Sequence, residues 1–250
     1  MRIISSSEYY DQLSADYRQI SQSRTAYLAG IDRLIAESLR PGLSLLDVGG
    51  ADGVRSRQLA HDAGISRVTL LDSSPAMLSR VEPKNFEQII EGDITSEAIP
   101  AQLGEARFDA ALILWNVLGH IPTPEARLRA LANIHRALRP KGILFLDCNN
   151  RENARAYGWR IALRNWLLGL LGESGERWNF PLPAKNAADA VSYVHIFSSR
   201  ELKRLVAAAG FEIDRFVFVD YETGQPVKSR FEGQIFFRLR KHDCAISTNR

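Results

Sequence analysis

Apolar positions along this chain recur with two different periods, and the change of period divides it into elements. Short apolar runs at residues 43–48, 67–71, 87–90, 108–115 and 142–147 alternate with stretches whose apolar side chains return every three or four positions. That alternation is the pattern of parallel strands joined by helical crossovers. Ser74-Pro75 and Thr123-Pro124 each set a capping side chain before a proline at the first helical position. Leu131, Ile134 and Leu138 fall on one helical face, and Pro140-Lys141-Gly142 ends that helix. Upstream, residues 8–20 and 22–39 read as two helices leading into the sheet. Downstream, Ser198-Ser199-Arg200-Glu201 has capping-box spacing and Gly210 sits at a C-terminal cap, which predicts a helix over 199–209. Residues 211–219 and 234–239 read as two more strands. The segment 220–233 between them contains Gly224, Pro226 and Gly233 and is too short for a helical crossover, so it predicts a hairpin. The expected fold is α/β: a seven-stranded, mostly parallel sheet with an antiparallel last strand and helices on both faces.

Composition narrows the setting. The chain has 250 residues, 45% of them hydrophobic, which suits one packed domain with an elaboration. No apolar run approaches the roughly 20 residues that span a bilayer. The N-terminal residues carry no signal-peptide core, and Cys148 and Cys244 show no metal-ligand spacing, so a soluble, reducing, cytoplasmic setting without a metal is expected. A net charge of +3 does not by itself imply nucleic acid. Residues 243–250 are expected to fray.

The most informative stretch is Leu45-Leu46-Asp47-Val48-Gly49-Gly50-Ala51-Asp52-Gly53, an apolar strand that enters a glycine turn and then a helix over 54–63. Such a turn brings backbone amides and a helix N-terminus close to a small polar ligand. A dinucleotide fingerprint would read G-x-G-x-x-G, and Asp47 would sit badly beside a pyrophosphate. A cationic ligand would tolerate that acid. A nicotinamide-dependent reductase is therefore the weaker alternative.

Asp47 to Gly53 resembles the first motif of the class I S-adenosylmethionine-dependent methyltransferases. Leu70-Leu71-Asp72-Ser73-Ser74-Pro75-Ala76-Met77-Leu78 is similar to the second-strand motif, Glu91-Gly92-Asp93-Ile94 to the third, and Phe108-Asp109-Ala110 through Asn116 to the fourth. Residues 138–144 resemble the entry to the fifth strand, and residues 10–17 the leading helix. The resemblance runs from about residue 8 to 241 and implies a Rossmann-like domain with S-adenosyl-L-methionine as cofactor and S-adenosyl-L-homocysteine as product. It further implies that Asp72 and neighbouring Ser73 meet the ribose, that Asp93 and the Ile94 amide meet the adenine, and that Met77 and Ile94 sandwich it. Asp47, Gly49, Gly50, Ala51 and Gly53 would pack against the methionine part. Carbonyls near Trp115 and Asn116 would hold its ammonium, and Tyr17 would close over that end. Ala51 replaces the middle glycine of the motif, a change that a negative φ would permit. Asp109 reads as structural, opening a buried strand, and Asp52 as either a loop acid or a support for the site.

The acceptor is less legible. His120 and His195 are the candidate bases, each with a local structural role as its rival, and Asn149 and Asn150 could orient an acceptor or cap a turn. Within a single domain over 1–250, with N-terminal helices at 8–40 and a cofactor-binding core at 43–150, residues 151–194 form an insertion longer than an ordinary connection. A helix and strand hairpin follow at 195–241. Trp159, Ile161, Ala162, Leu163, Trp166, Leu167, Leu170 and Leu171, edged by Arg155, Arg160 and Arg164, predict a largely apolar helix. It reads as a helical lid over a lipophilic acceptor, as a basic amphipathic surface for a membrane or partner over 155–171, or as a packed subdomain. The expected activity is methyl transfer to a small or medium organic molecule at oxygen, nitrogen or carbon. A tRNA or RNA acceptor, met by Arg151, Arg155, Arg160 and Arg164, is one alternative, and a non-catalytic binding module is another.

Overall fold

The computed structural model describes residues 2–171, 176–187 and 189–242. The expectation for residues 243–250, Cys244, and the 172–175 part of the break after the insertion helix lie outside the described residues. The chain opens with β1 (Arg2–Ile3), α1 (Ser6–Leu13), α2 (Tyr17–Gln22) and α3 (Thr25–Ala36). The core follows as β2 (Ser44–Val48), α4 (Val54–Asp62), β3 (Arg67–Asp72), α5 (Pro75–Leu78), β4 (Gln88–Glu91), α6 (Ile99–Leu103), β5 (Phe108–Ile113), α7 (Pro124–Ala137) and β6 (Leu138–Cys148). The insertion holds α8 (Ala154–Tyr157), α9 (Trp159–Leu171), β7 (Asn179–Pro183) and β8 (Ala190–His195). The chain closes with α10 (Ser199–Ala208), β9 (Phe211–Val219), β10 (Pro226–Val227) and β11 (Gln234–Lys241).

The seven expected strands are present in one sheet, ordered β9-β11-β6-β5-β2-β3-β4, with the two-residue β10 added beside β9 as an eighth. β6, β5, β2, β3 and β4 run parallel, while β11 runs antiparallel to both β6 and β9. Because successive side chains of a strand point to opposite faces, Leu46, Val48, Leu71 and Ile113 join the core under α7 and α10, whereas Leu45, Val68, Ala110 and Leu112 join the one under α3 and α4. β2 has β3 on one side and β5 on the other, so the connections leave in opposite directions at that point. A crevice opens there, beyond the carboxyl ends of the strands.

Several local readings are realised. Ser74 and Thr123 cap their helices by accepting from the Met77 and Ala126 amides, and Ser198 accepts from Glu201 N at 3.1 Å. Gly210 has φ 84°, as a C-terminal cap requires. The expected 8–20 helix is instead two, because Ser14 Oγ donates back to Asp11 O at 2.9 Å and the chain turns between α1 and α2. A separate sheet, β1-β8-β7, was not anticipated. Arg2 and Ile3 pair in parallel with Ala190 and Val191, and Asn179 lies opposite His195 on antiparallel β7. The insertion thus carries a hairpin beside its two helices, and β8 ends at His195.

Candidate active site

At the carboxyl end of β2 the chain turns through Gly49 (φ 69°), Gly50, Ala51 (φ 53°) and Gly53 (φ 69°) into α4. Gly49 N donates to Leu71 O at 2.7 Å, which fixes the turn against β3. A Cβ on Gly50 would overlap Asp47 Oδ2 and Leu70, and one on Gly49 would lie 2.7 Å from Val117 Cγ1. Backbone therefore lies where no other residue would let it. Ala51 corrects the expectation of a negative φ, since it occupies the left-handed region that glycine adopts freely. Its amide donates to Asp72 Oδ2 at 2.8 Å, and this charge-assisted bond offsets the strain of roughly 1 to 2 kcal/mol. Ala51→Gly is expected to raise stability by up to about 1 kcal/mol in urea unfolding, with glycine's unfolded-state entropy opposing part of the relief.

Asp72 accepts from Ala51 N and from Ser74 N, one bond to each carboxylate oxygen at 2.8 Å. A carboxylate has about four acceptor directions, so two remain for a ligand. Ser73, half-buried beside it, gives its carbonyl to Ser7 Oγ at 2.6 Å, and Asp11 Oδ1 accepts from Ser74 Oγ and Ala76 N. These bonds fasten α1 across the end of β3. Asp93 is exposed at the rim and accepts from Thr95 N at 2.7 Å. Met77 is fully buried and Ile94 nearly so, which places both in the packed interior rather than as open walls.

Three buried carboxylates line the crevice: Asp47 and Asp72, which the sequence reading singled out, and Asp147 near the end of β6, which it missed. Burial lifts the Asp47 carboxyl to about 6, against opposing pulls from Ser56 and Arg55. Burial also raises Asp72 and Asp147. Asp147 organises its surroundings, accepting from Trp115 N at 2.6 Å and from the Tyr27 hydroxyl at 2.7 Å. Its signal in the sequence was an acid inside the apolar run 143–148. Trp115 and Asn116 both have positive φ, 55° and 61°, and Asp147 together with the Asn116 Oδ1 bond to Asn149 N holds that strained pair in place. Asp52 ion-pairs with Arg18 at 2.9 Å and accepts from Val54 N, supporting the turn.

An aromatic cluster covers the mouth. Tyr17 and Trp115 have ring centroids 5.7 Å apart, Tyr10 and Tyr17 6.4 Å, Tyr10 and His120 5.1 Å, and Tyr9 and Tyr10 5.6 Å. Tyr10 Oη lies 3.0 Å from His120 Nε2, while His120 Nδ1 is buried without a partner among the described residues. Burial drops His120 to about 4 and pushes both the Tyr10 and Tyr17 phenols well up, so all three are neutral near pH 7.

His195 meets this region through its backbone, its carbonyl accepting from Asn116 Nδ2 at 3.4 Å. Its ring is engaged within the protein, with Nδ1 2.7 Å from Asn179 Oδ1 and Nε2 2.8 Å from Glu201 Oε1. Burial holds its pKa low, against the pull of Glu201. Glu201 also accepts from Arg151, whose guanidinium lies over the Trp178 ring at 4.1 Å. This buried network ties β8, β7 and α10 to the end of β6. Asn150 is buried too, accepting from Glu152 N and donating to the carbonyls of Arg230 and Gly233. Asp109 is structural, paired with Arg139 at 2.6 Å and hydrogen-bonded to Ser44.

A glycine turn walled by acids at the switch point of a mostly parallel sheet, under an aromatic cover, defines an α/β domain built around a small cationic ligand. A family model described as a methyltransferase domain matches residues 18–215, and the chain belongs to that family, among the class I S-adenosylmethionine-dependent methyltransferases. It is 30% identical over 155 residues to a cypemycin N-terminal methyltransferase from Streptomyces, 60% of each chain. It is 26% identical over 146 residues to a 2-methyl-6-phytyl-1,4-hydroquinone methyltransferase from Synechocystis, 58% of this chain and 43% of that one. These matches span about three-fifths and two-fifths of those relatives' lengths. The fold also resembles a Burkholderia thailandensis 1,6-didemethyltoxoflavin-N1-methyltransferase solved with its acceptor and S-adenosylhomocysteine, with TM-score 0.59 and 21% identity over 96% of this chain and 92% of that one.

S-Adenosylmethionine is the methyl donor of this class, and the residues present fit it. The turn at Gly49 and Gly50 packs tightly against Val117, Asp47 and Leu70, and buried carboxylates suit a molecule carrying a sulfonium and an ammonium.

Proposed function

We propose that the protein transfers the donor's methyl group to a small or medium, lipophilic organic molecule, at an amine nitrogen or an electron-rich ring carbon in preference to an unactivated hydroxyl. The observation that carries this reading is the aromatic cluster of Tyr10, Tyr17, Trp115 and His120 beside the glycine turn, which lacks a strong base. Bound S-adenosylmethionine supplies a methyl carbon made electrophilic by its sulfonium. The chain's own residues supply alignment, enclosure and recognition. Asp72, with Ser73 beside it, would hold the ribose, Asp93 and the Ile94 amide the adenine edge, and Asp47 with the Gly49–Gly53 turn the methionine end. Trp115 and Asn116 carbonyls would take the ammonium.

Alignment of nucleophile, methyl carbon and sulfur can contribute about 7 to 11 kcal/mol, so a base is dispensable for a nucleophile with a free lone pair. The acceptor's electron pair forms the new bond to carbon while the carbon–sulfur pair goes to sulfur, and any surplus proton then passes to water. His120 serves as a neutral polar wall: with Nε2 engaged by Tyr10, Nδ1 offers one hydrogen bond to the acceptor. The name of one relative, a cypemycin N-terminal methyltransferase, supports an amine acceptor. The RNA alternative loses two of its four arginines, since Arg151 is fully buried and Arg155 is paired with Asp220.

Incubating the protein with donor and a metabolite extract, and searching for gained methyl mass, tests the proposal; methylated RNA with no methylated small molecule would overturn it. For an acceptor found in this way, kcat at saturating donor is expected to be flat between about pH 6 and 8, because His120 is already neutral above about 4. A limb near the ordinary histidine value that persists in Asp47→Asn and is lost in His120→Ala would show that His120 acts as base. Tyr10→Phe is expected to raise the acceptor KM about ten-fold and leave the affinity for S-adenosylhomocysteine unchanged, because it frees His120 Nε2 without touching the glycine turn.

A further inference from the structure

α9 is built inside out. Its buried positions, Ala162, Asn165 and Gly169, are small or polar, with Trp166 half-buried beside them, and Asn165 is anchored by donating to Arg151 O at 2.7 Å. Its outward positions are large and apolar: Trp159 is 66% exposed, and Ile161, Leu163, Leu167 and Leu170 are each about half exposed. At 100° per residue, Trp159, Leu163, Leu167 and Leu170 fall within one quadrant of the outward face, with Arg160 and Arg164 next to them. An ordinary surface helix has the opposite arrangement. So many large apolar side chains on one exposed face mark an interaction site.

The charge decides what covers it. α9 contains no acid, and neither Arg160 nor Arg164 enters an ion pair among the described residues. Two copies of this face meeting about a two-fold axis would bring arginines against arginines with no acid on either helix to neutralise them. An anionic lipid surface offers the complement: hydrocarbon for the leucines, phosphates for the guanidinium groups, and the headgroup boundary for a tryptophan. Among the described residues no helix is long and apolar enough to cross a membrane, so the helix would lie in the interface plane.

We infer that α9 docks this protein on anionic membrane surfaces, lying flat with Trp159, Leu163, Leu167 and Leu170 immersed and Arg160 and Arg164 at the phosphates. The inference does not rest on what the crevice binds.

The test is sedimentation of the full chain with vesicles of phosphatidylcholine alone and of phosphatidylcholine mixed with phosphatidylglycerol, with tryptophan emission followed in parallel. Binding to the anionic vesicles only, weakened by salt and accompanied by a blue shift, is expected. Arg160→Glu with Arg164→Glu should weaken it by at least about thirty-fold, from roughly a five-fold loss for each basic group near the surface. Leu163→Ser with Leu167→Ser should weaken it by at least about ten-fold. Unchanged circular dichroism and S-adenosylhomocysteine affinity would show that the variants fold. Absence of binding, equal binding to neutral vesicles, binding untouched by both variant pairs, or a dimer in light scattering that Leu163→Ser with Leu167→Ser dissolves would overturn the inference.

Discussion

Asp72→Ala should weaken S-adenosylhomocysteine binding at least about a hundred-fold by calorimetry, because the two charge-assisted bonds proposed to ribose hydroxyls, each about 1.5 to 3 kcal/mol, would disappear together. The structure adds a second expected effect. Asp72 also satisfies the Ala51 and Ser74 amides, so the alanine leaves two buried donors unpaired and removes what holds Ala51 in its left-handed conformation. A loss of about 2 to 4 kcal/mol in denaturant unfolding should accompany the binding defect. Asp72→Asn keeps one acceptor for the backbone and should recover part of the stability but little of the affinity. Affinity unchanged in a folded Asp72→Ala protein would remove the ribose assignment.

Asp47→Asn is expected to move stability and binding in opposite directions. Burial raises the folded-state carboxyl to about 6, above the 3.8 of an ordinary aspartate. The folded protein therefore holds this proton more tightly than the unfolded chain. The resulting stability is complete below the unfolded value and is lost as pH rises through about 6. At pH 7 the ionised carboxylate is a buried charge that costs the fold on the order of 3 kcal/mol, and the neutral amide removes that cost. The variant should melt at a higher temperature at pH 7, with the gain shrinking toward pH 4. A cationic ligand favours the ionised form, so wild-type affinity for S-adenosylmethionine should fall as pH drops through about 6, a dependence the amide variant should lack. Calorimetric titration of both proteins across that range checks the sign; equal pH dependence would place the cation's counter-charge elsewhere.

The legibility of the fold followed how local its causes are. β2, β3 and β5 announced themselves because each is an apolar run bounded by turn residues, and the caps at Ser74, Thr123 and Ser198 were readable because a cap needs only a side chain three positions from its amide. β1, β7 and β8 were not readable, since residues 2–3, 179–183 and 190–195 form strands only against one another. The same holds at the site. Asp47, Gly50 and Asp72 belong to short local patterns. The pairing of Tyr10 with His120, and of His195 with Asn179 and Glu201, depends on how helices and sheets dock, so nothing in the neighbouring residues could separate a base from a strut. Ala51 was misread for a further reason: its backbone follows the role of the glycine it replaces, and the Asp72 carboxylate that compensates for it lies one strand away.

The position of β11 between β6 and β9 has a consequence for biosynthesis. The five parallel strands emerge from the ribosome in an order that lets them assemble, yet β6 and β9 each keep an unpaired edge until residues 234–241 have been made. A nascent chain paused before that point presents two sticky sheet margins, one of them carrying Leu144, Phe145 and Leu146. Burial of those margins thus waits on residues 234–241, and a translation stall before them would favour aggregation over a partly working enzyme.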